Sequence, residues 1–117
     1  MELSHESRGD VRVLRVGEAK LTYPVLAAFF GEVRGLVEAG TRKLVIDLGA
    51  VGYIDSASIG CLMDIHRLLA EHGGAVHLCS LQPRVETMLS MTGVHRIVSV
   101  HKSCADAVAA LGERGDA

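Results

Sequence analysis

The chain has 117 residues, 49% of them apolar and 22% charged, which fits one globular domain and excludes a disordered or collagenous chain. Twelve basic residues against fourteen acidic ones leave a formal charge of −2, and aromatics make up only 3%, with no Trp. A nucleic-acid module needs a basic surface and stacking rings, so that class is excluded, and binding to an anionic membrane is disfavoured by the same charge balance.

Residues Met1 to Glu6 read as a first strand, followed by a Ser7-Arg8-Gly9-Asp10 turn. Val11, Val13, Leu14 and Val16, with Arg12 and Arg15 between them, mark a second strand, so the chain opens on an antiparallel hairpin. Thr22 and Pro24 give a helix start, Thr as the cap and Pro in the first turn. Val25, Leu26, Phe29, Phe30, Val33, Leu36 and Val37 then recur at helical spacing as far as a Gly40 cap. Lys43 to Leu48 is a strand buried on both faces. The passage from Gly49 to Ser56 leads into a helix from about Ser58 to His72, stopped by Gly73-Gly74. Ala75 to Cys79 is another apolar strand, and Pro83 opens a helix that Gly93 ends. His95 to Val100 reads as the last strand and Ser103 to Leu111 as the last helix, with a polar Gly112 to Ala117 tail expected to fray. The order β-β-α-β-α-β-α-β-α predicts an α/β fold. Its central sheet is mixed, with an antiparallel N-terminal hairpin, a largely parallel remainder and about four flanking helices.

No apolar run approaches the roughly 20 residues of a spanning helix, and the N-terminus lacks the basic flank and apolar stretch of a signal peptide. Cys61, Cys79 and Cys104 are widely spaced in apolar surroundings and read as reduced thiols of a cytoplasmic protein. The six histidines form no HxxxH pair and the cysteines no CxxC pair, so the spacing indicates neither a metal site nor a bound cofactor. There is no G-x-S-x-G elbow, no GxGxxG loop and no phosphate-binding loop, and hence no catalytic residue to name. Asp47 closes a central strand as a receiver phosphoacceptor would, but the first strands supply no acidic cluster to accompany it.

One segment carries chemistry. Tyr53-Ile54-Asp55-Ser56-Ala57-Ser58-Ile59-Gly60 joins a buried strand to the first turn of an amphipathic helix. Such a turn presents unpaired backbone N–H groups and the positive end of the helix dipole. A hydroxyl there is a candidate for phosphorylation, and Asp55 or Ser56 a candidate N-cap.

Taken with Leu44-Val45-Ile46-Asp47-Leu48, Val51, Gly73-Gly74, Pro83-Arg84-Val85 and Thr92-Gly93-Val94, this segment resembles the signature of the STAS domain family, the anti-sigma-factor antagonists. The resemblance runs over about residues 11–111 of a single domain spanning 1–117. It implies a non-enzymatic, cytoplasmic switch that binds an anti-sigma factor. That partner is also a serine kinase of the GHKL type, and a PP2C-type phosphatase reverses its action. The family motif reads Asp-Ser-Ser-Gly-Leu-Gly, with the second serine as acceptor. Asp55 and Ser56 match it, but Ala57 stands at the acceptor position and Ser58 at the usual glycine. The resemblance therefore leaves Ser56 and Ser58 as acceptor candidates. Tyr53, Asp55, Ser56, Ala57, Ser58, Ile59 and Met63 form the implied partner surface. The alternative is a STAS module that is never phosphorylated and acts as a fixed subunit of a stress-signalling assembly or transporter complex.

Overall fold

The computed structural model describes residues 1–114. Its elements are β1 (Leu3–Arg8), β2 (Val11–Val16), β3 (Lys20–Leu21), α1 (Tyr23–Glu38), β4 (Lys43–Asp47), β5 (Tyr53–Ile54), α2 (Ser56–Glu71), β6 (Ala75–Cys79), α3 (Pro83–Thr92), β7 (Ser99–His101) and α4 (Cys104–Arg114), with a 3₁₀ turn at Val94–Arg96 between α3 and β7. A five-stranded sheet has the order β1-β2-β4-β6-β7. The β1–β2 pair is antiparallel and the other pairs are parallel. The mixed α/β sheet with four helices is the architecture expected from the sequence.

Alternation along the strands divides the core in two. Leu14, Leu44, Ile46, Val76 and Leu78 pack with Phe29, Val33, Ile65 and Leu69 of α1 and α2. Val11, Val13, Val45 and Cys79 point to the other face, where they meet Ala107 and Leu111 of α4. β4 is apolar on both faces because helices cover it on both sides, which is why its sequence shows no alternation.

The glycines after α2 act as predicted, and the reason is geometric. Gly73 has φ +76, in the left-handed region, and its N–H reaches the Ala70 carbonyl, while Gly74 N–H reaches that of Leu69 at 2.7 Å. This double closure is a Schellman cap. Gly74 then passes so close to the neighbouring chain that a Cβ would lie 2.2 Å from the Arg42 carbonyl oxygen.

Several boundaries differ from the sequence expectation. β1 runs to Arg8, which pairs with Val11, so Gly9-Asp10 alone forms the turn. α2 begins at Ser56. Val94 to Val98 is not strand. Val94 and Val98 are buried and His95, Arg96 and Ile97 exposed, which is the period of a helical turn, and the Val98 N–H bonds back to Val94. β7 starts only at Ser99. α4 continues through Gly112 to Arg114, where fraying was expected, and 115–117 lie outside the described residues. The sequence reading also lacked β3 and β5. These two-residue strands form a separate parallel sheet and are too short to show a period.

Candidate functional site

The small sheet builds the site. Lys20 pairs with Tyr53 and Leu21 with Ile54, and the buried Leu21 and Ile54 anchor it to the core. Each strand runs directly into a helix, β3 into α1 and β5 into α2. The two helix N-termini are thereby set side by side, and their partial positive charges converge.

Asp55 stands between them. Its Oδ1 accepts the N–H of Ser58 at 2.9 Å, and its Oδ2 accepts the N–H of Tyr23, in the first turn of α1, at 3.0 Å. Thr22 occupies the N-cap position of α1 with extended backbone, but its side chain makes no capping bond among the described residues. The capping acceptor predicted from Thr22 comes instead from Asp55. The backbone N–H donors of Ser58 and then of Tyr23 hold the Asp55 carboxyl below its ordinary pKa.

Ser58 completes a capping box. Its hydroxyl accepts the Asp55 N–H at 2.9 Å and donates to the Asp55 carbonyl at 2.7 Å, and the residue is fully buried. The two serines named as acceptor candidates thus occupy opposite situations. Ser56 is exposed at the first position of α2, whereas Ser58 is enclosed, with its proton and a lone pair engaged. Burial withdraws the Ser58 hydroxyl from an incoming phosphoryl donor.

The other expected surface residues are distributed unevenly. Tyr53 is 42% exposed, and Ala57 is half-buried at the margin of a groove between α1 and α2. Ile59 and Met63 are half-buried and packed against the core. Sequence reasoning missed the wall of the groove. It is about 570 Å³ in volume, and Tyr23, Leu26, Phe30, Gly60 and Cys61 line it together with Ala57. The only trace of it in the sequence is the doubling of Phe29-Phe30. A helix buries one face, and here Phe29 is fully buried while Phe30 remains half-exposed beside Arg34, whose guanidinium lies 5.1 Å from the ring centroid.

Among the described residues no helix is long and apolar enough to cross a membrane. The arrangement can present one exposed hydroxyl at a helix N-terminus, flanked by two exposed tyrosines and an apolar groove.

Comparison with known proteins agrees with this architecture. The model of the STAS domain matches residues 2–107. BtrV of Bordetella bronchiseptica, named for an anti-sigma-factor antagonist role, is 33% identical over 80 residues, covering 68% of this chain and 69% of BtrV. The anti-sigma F factor antagonist of Paenibacillus polymyxa is 25% identical over 70 residues, covering 60% of each chain. The chain thus spans less than two thirds of that second relative. A crystal structure from Thermotoga maritima, also named for an anti-sigma-factor antagonist, superposes with a TM-score of 0.85 at 27% identity, covering 93% of both chains. The strand order, the Asp55-Ser56 helix entrance and a match over almost the whole length lead to one assignment: the chain belongs to the STAS domain family.

Proposed function

We propose that the protein is a partner-switching regulator of the anti-sigma-factor antagonist type, which binds an anti-sigma factor with serine-kinase activity and does no catalysis itself. Relatives named for this role support the reading. The observation that carries it is the exposed Ser56 hydroxyl at the start of α2, next to the α1–α2 groove and Tyr53. A kinase can reach that hydroxyl, and phosphorylation adds about −1.5 to −2 of charge. The added charge lies beside the Asp55 carboxylate, so a partner closing over it would have to desolvate two adjacent anions. Phosphorylation at Ser56 then dissolves the complex, and a PP2C-type phosphatase restores it.

The test is to incubate the chain with a candidate serine kinase drawn from its own genome neighbourhood and ATP, and to map phosphate by mass spectrometry. Label at Ser56 that Ser56→Ala removes, with loss of binding on labelling, supports the switch. Tight binding without label overturns the switch and leaves a fixed binder, in a stress-signalling assembly or a transporter complex. Ala57 at the family's acceptor position favours that second reading, since it carries no hydroxyl to modify.

A further inference from the structure

A second group of reactive side chains lies on the opposite face of the sheet, beneath α4. The strands there are in register, so Arg15, Asp47, Cys79 and His101 are successive Cα partners across β2, β4, β6 and β7. Asp47 and Cys79 follow Val45 and His77 by two positions, and all four therefore project to the α4 side. Cys104, the first residue of α4, comes down on this row. As a result a carboxylate oxygen of Asp47 and the Sγ atoms of Cys79 and Cys104 all lie within 4.8 Å of one another. Cys79 is fully buried, and the other two are half-buried.

We propose that Asp47, Cys79 and Cys104 form a binding site for a thiophilic divalent cation, Zn²⁺ in the first instance, which ties the start of α4 to the ends of β4 and β6. Two sulfurs and one carboxylate are a donor set for a borderline-soft cation, whereas Mg²⁺ and Ca²⁺ take oxygen alone. Three protein ligands leave the fourth tetrahedral position to water. Binding replaces one proton on each thiol by a metal–sulfur bond, and the two protons leave to solvent. Two thiolates and a carboxylate around a divalent cation carry one surplus negative charge. Arg15 offsets it, with Nε 3.5 Å from Asp47 Oδ2, while its Nη1 pairs with Glu6 at 2.6 Å. The Gly49 N–H donates to Asp47 Oδ1 at 2.8 Å, the kind of outer bond that orients a metal-binding carboxylate. Asp47 also lines a hollow of about 700 Å³ shared with Ser4, Arg15 and Gly49.

The experiment uses the full chain, reduced and stripped of metal, titrated with Co²⁺ as a spectroscopic probe and then with Zn²⁺. The expected result is uptake of one equivalent. Thiolate-to-cobalt charge-transfer absorption should appear together with strong tetrahedral bands, both bleached by Zn²⁺, and Zn²⁺ should raise Tm. Cys104→Ser and Asp47→Asn each weaken Zn²⁺ binding by at least about tenfold, the lower end of what even outer-shell changes cost at metal sites. These half-buried positions carry the test, because Cys79→Ser places a hydroxyl in a fully buried position and endangers folding. Three results overturn the proposal. One is no uptake by the reduced wild type. Another is cobalt bands without thiolate charge transfer, which assigns the ion to histidines. The last is affinity unchanged in Cys104→Ser. If the reduced chain takes no metal but dilute hydrogen peroxide links Cys79 to Cys104, the pair is a redox couple and the cation site is refuted.

Discussion

The Asp55 carboxylate receives the backbone N–H of Tyr23 at 3.0 Å, although the two residues are 32 positions apart in the chain. Its other oxygen receives the N–H of Ser58, so one side chain closes the first turns of α1 and α2 together. The segment that carries the family motif is therefore also the joint between the two helices that line the groove.

Asp55→Asn is expected to lower Tm by several degrees at neutral pH, because the amide keeps one acceptor oxygen where two helix N-termini require two. The pH dependence has a definite sign. The Asp55 pKa is lowered in the folded state, so its stabilisation is present above the unfolded value of about 3.9 and is lost as pH falls through the folded value. Thermal melts of wild type and variant should therefore converge as the pH drops below about 4. A gap that persists unchanged into stronger acid would contradict the double cap.

Variants of the two serines are expected to separate folding from the proposed regulation. Ser58→Ala removes a buried hydroxyl that both accepts from and donates to the Asp55 backbone. It should cost about 1–3 kcal/mol in urea unfolding. Ser56→Ala, at an exposed position, should stay within about 0.5 kcal/mol while abolishing phosphorylation. Equal losses of stability in the two variants would be inconsistent with the capping box.

Introducing charge at the turn tests the partner surface. Ser56→Asp should weaken binding of the kinase partner by about tenfold or more, equivalent to at least about 1.4 kcal/mol, with no change in fold by circular dichroism. Calorimetric titration measures it, and an unchanged Kd would place the interface elsewhere.

The aromatics predict a contrast of the same kind. Phe29 is fully buried between α1 and the sheet, and Phe29→Ala should cost about 3–5 kcal/mol. Tyr53 is 42% exposed, so Tyr53→Ala should reduce partner affinity and leave stability nearly unchanged. Denaturant midpoints and binding isotherms for the two variants distinguish core from surface.

At the end of α2, Gly74→Ala should destabilise by about 1–3 kcal/mol, because its Cβ would meet the Arg42 backbone carbonyl and a backbone atom cannot swing aside. Gly73→Ala costs about 1–2 kcal/mol for a different reason, the left-handed φ. Unfolding curves for the two single variants check both values.

Much of the fold was legible in the order of residues alone. The apolar spacing from Val25 to Val37 marks α1, the unbroken Leu44-Val45-Ile46 marks a strand covered on both faces, and Pro83, Gly40 and Gly73 mark where helices begin and end. These signals are local, since they depend on backbone sterics and on which face of one element is buried. The Asp55-Ser56 entrance to α2 was legible for the same reason. Tertiary structure alone decided which hydroxyl is open, because Ser56 and Ser58 are two residues apart on a helix and face different surroundings. It also decided that Asp55 rather than Thr22 caps α1, and that Asp47, Cys79 and Cys104 meet. Those relationships follow from which strands are neighbours and in what register they pair, and distance along the chain carries no record of either.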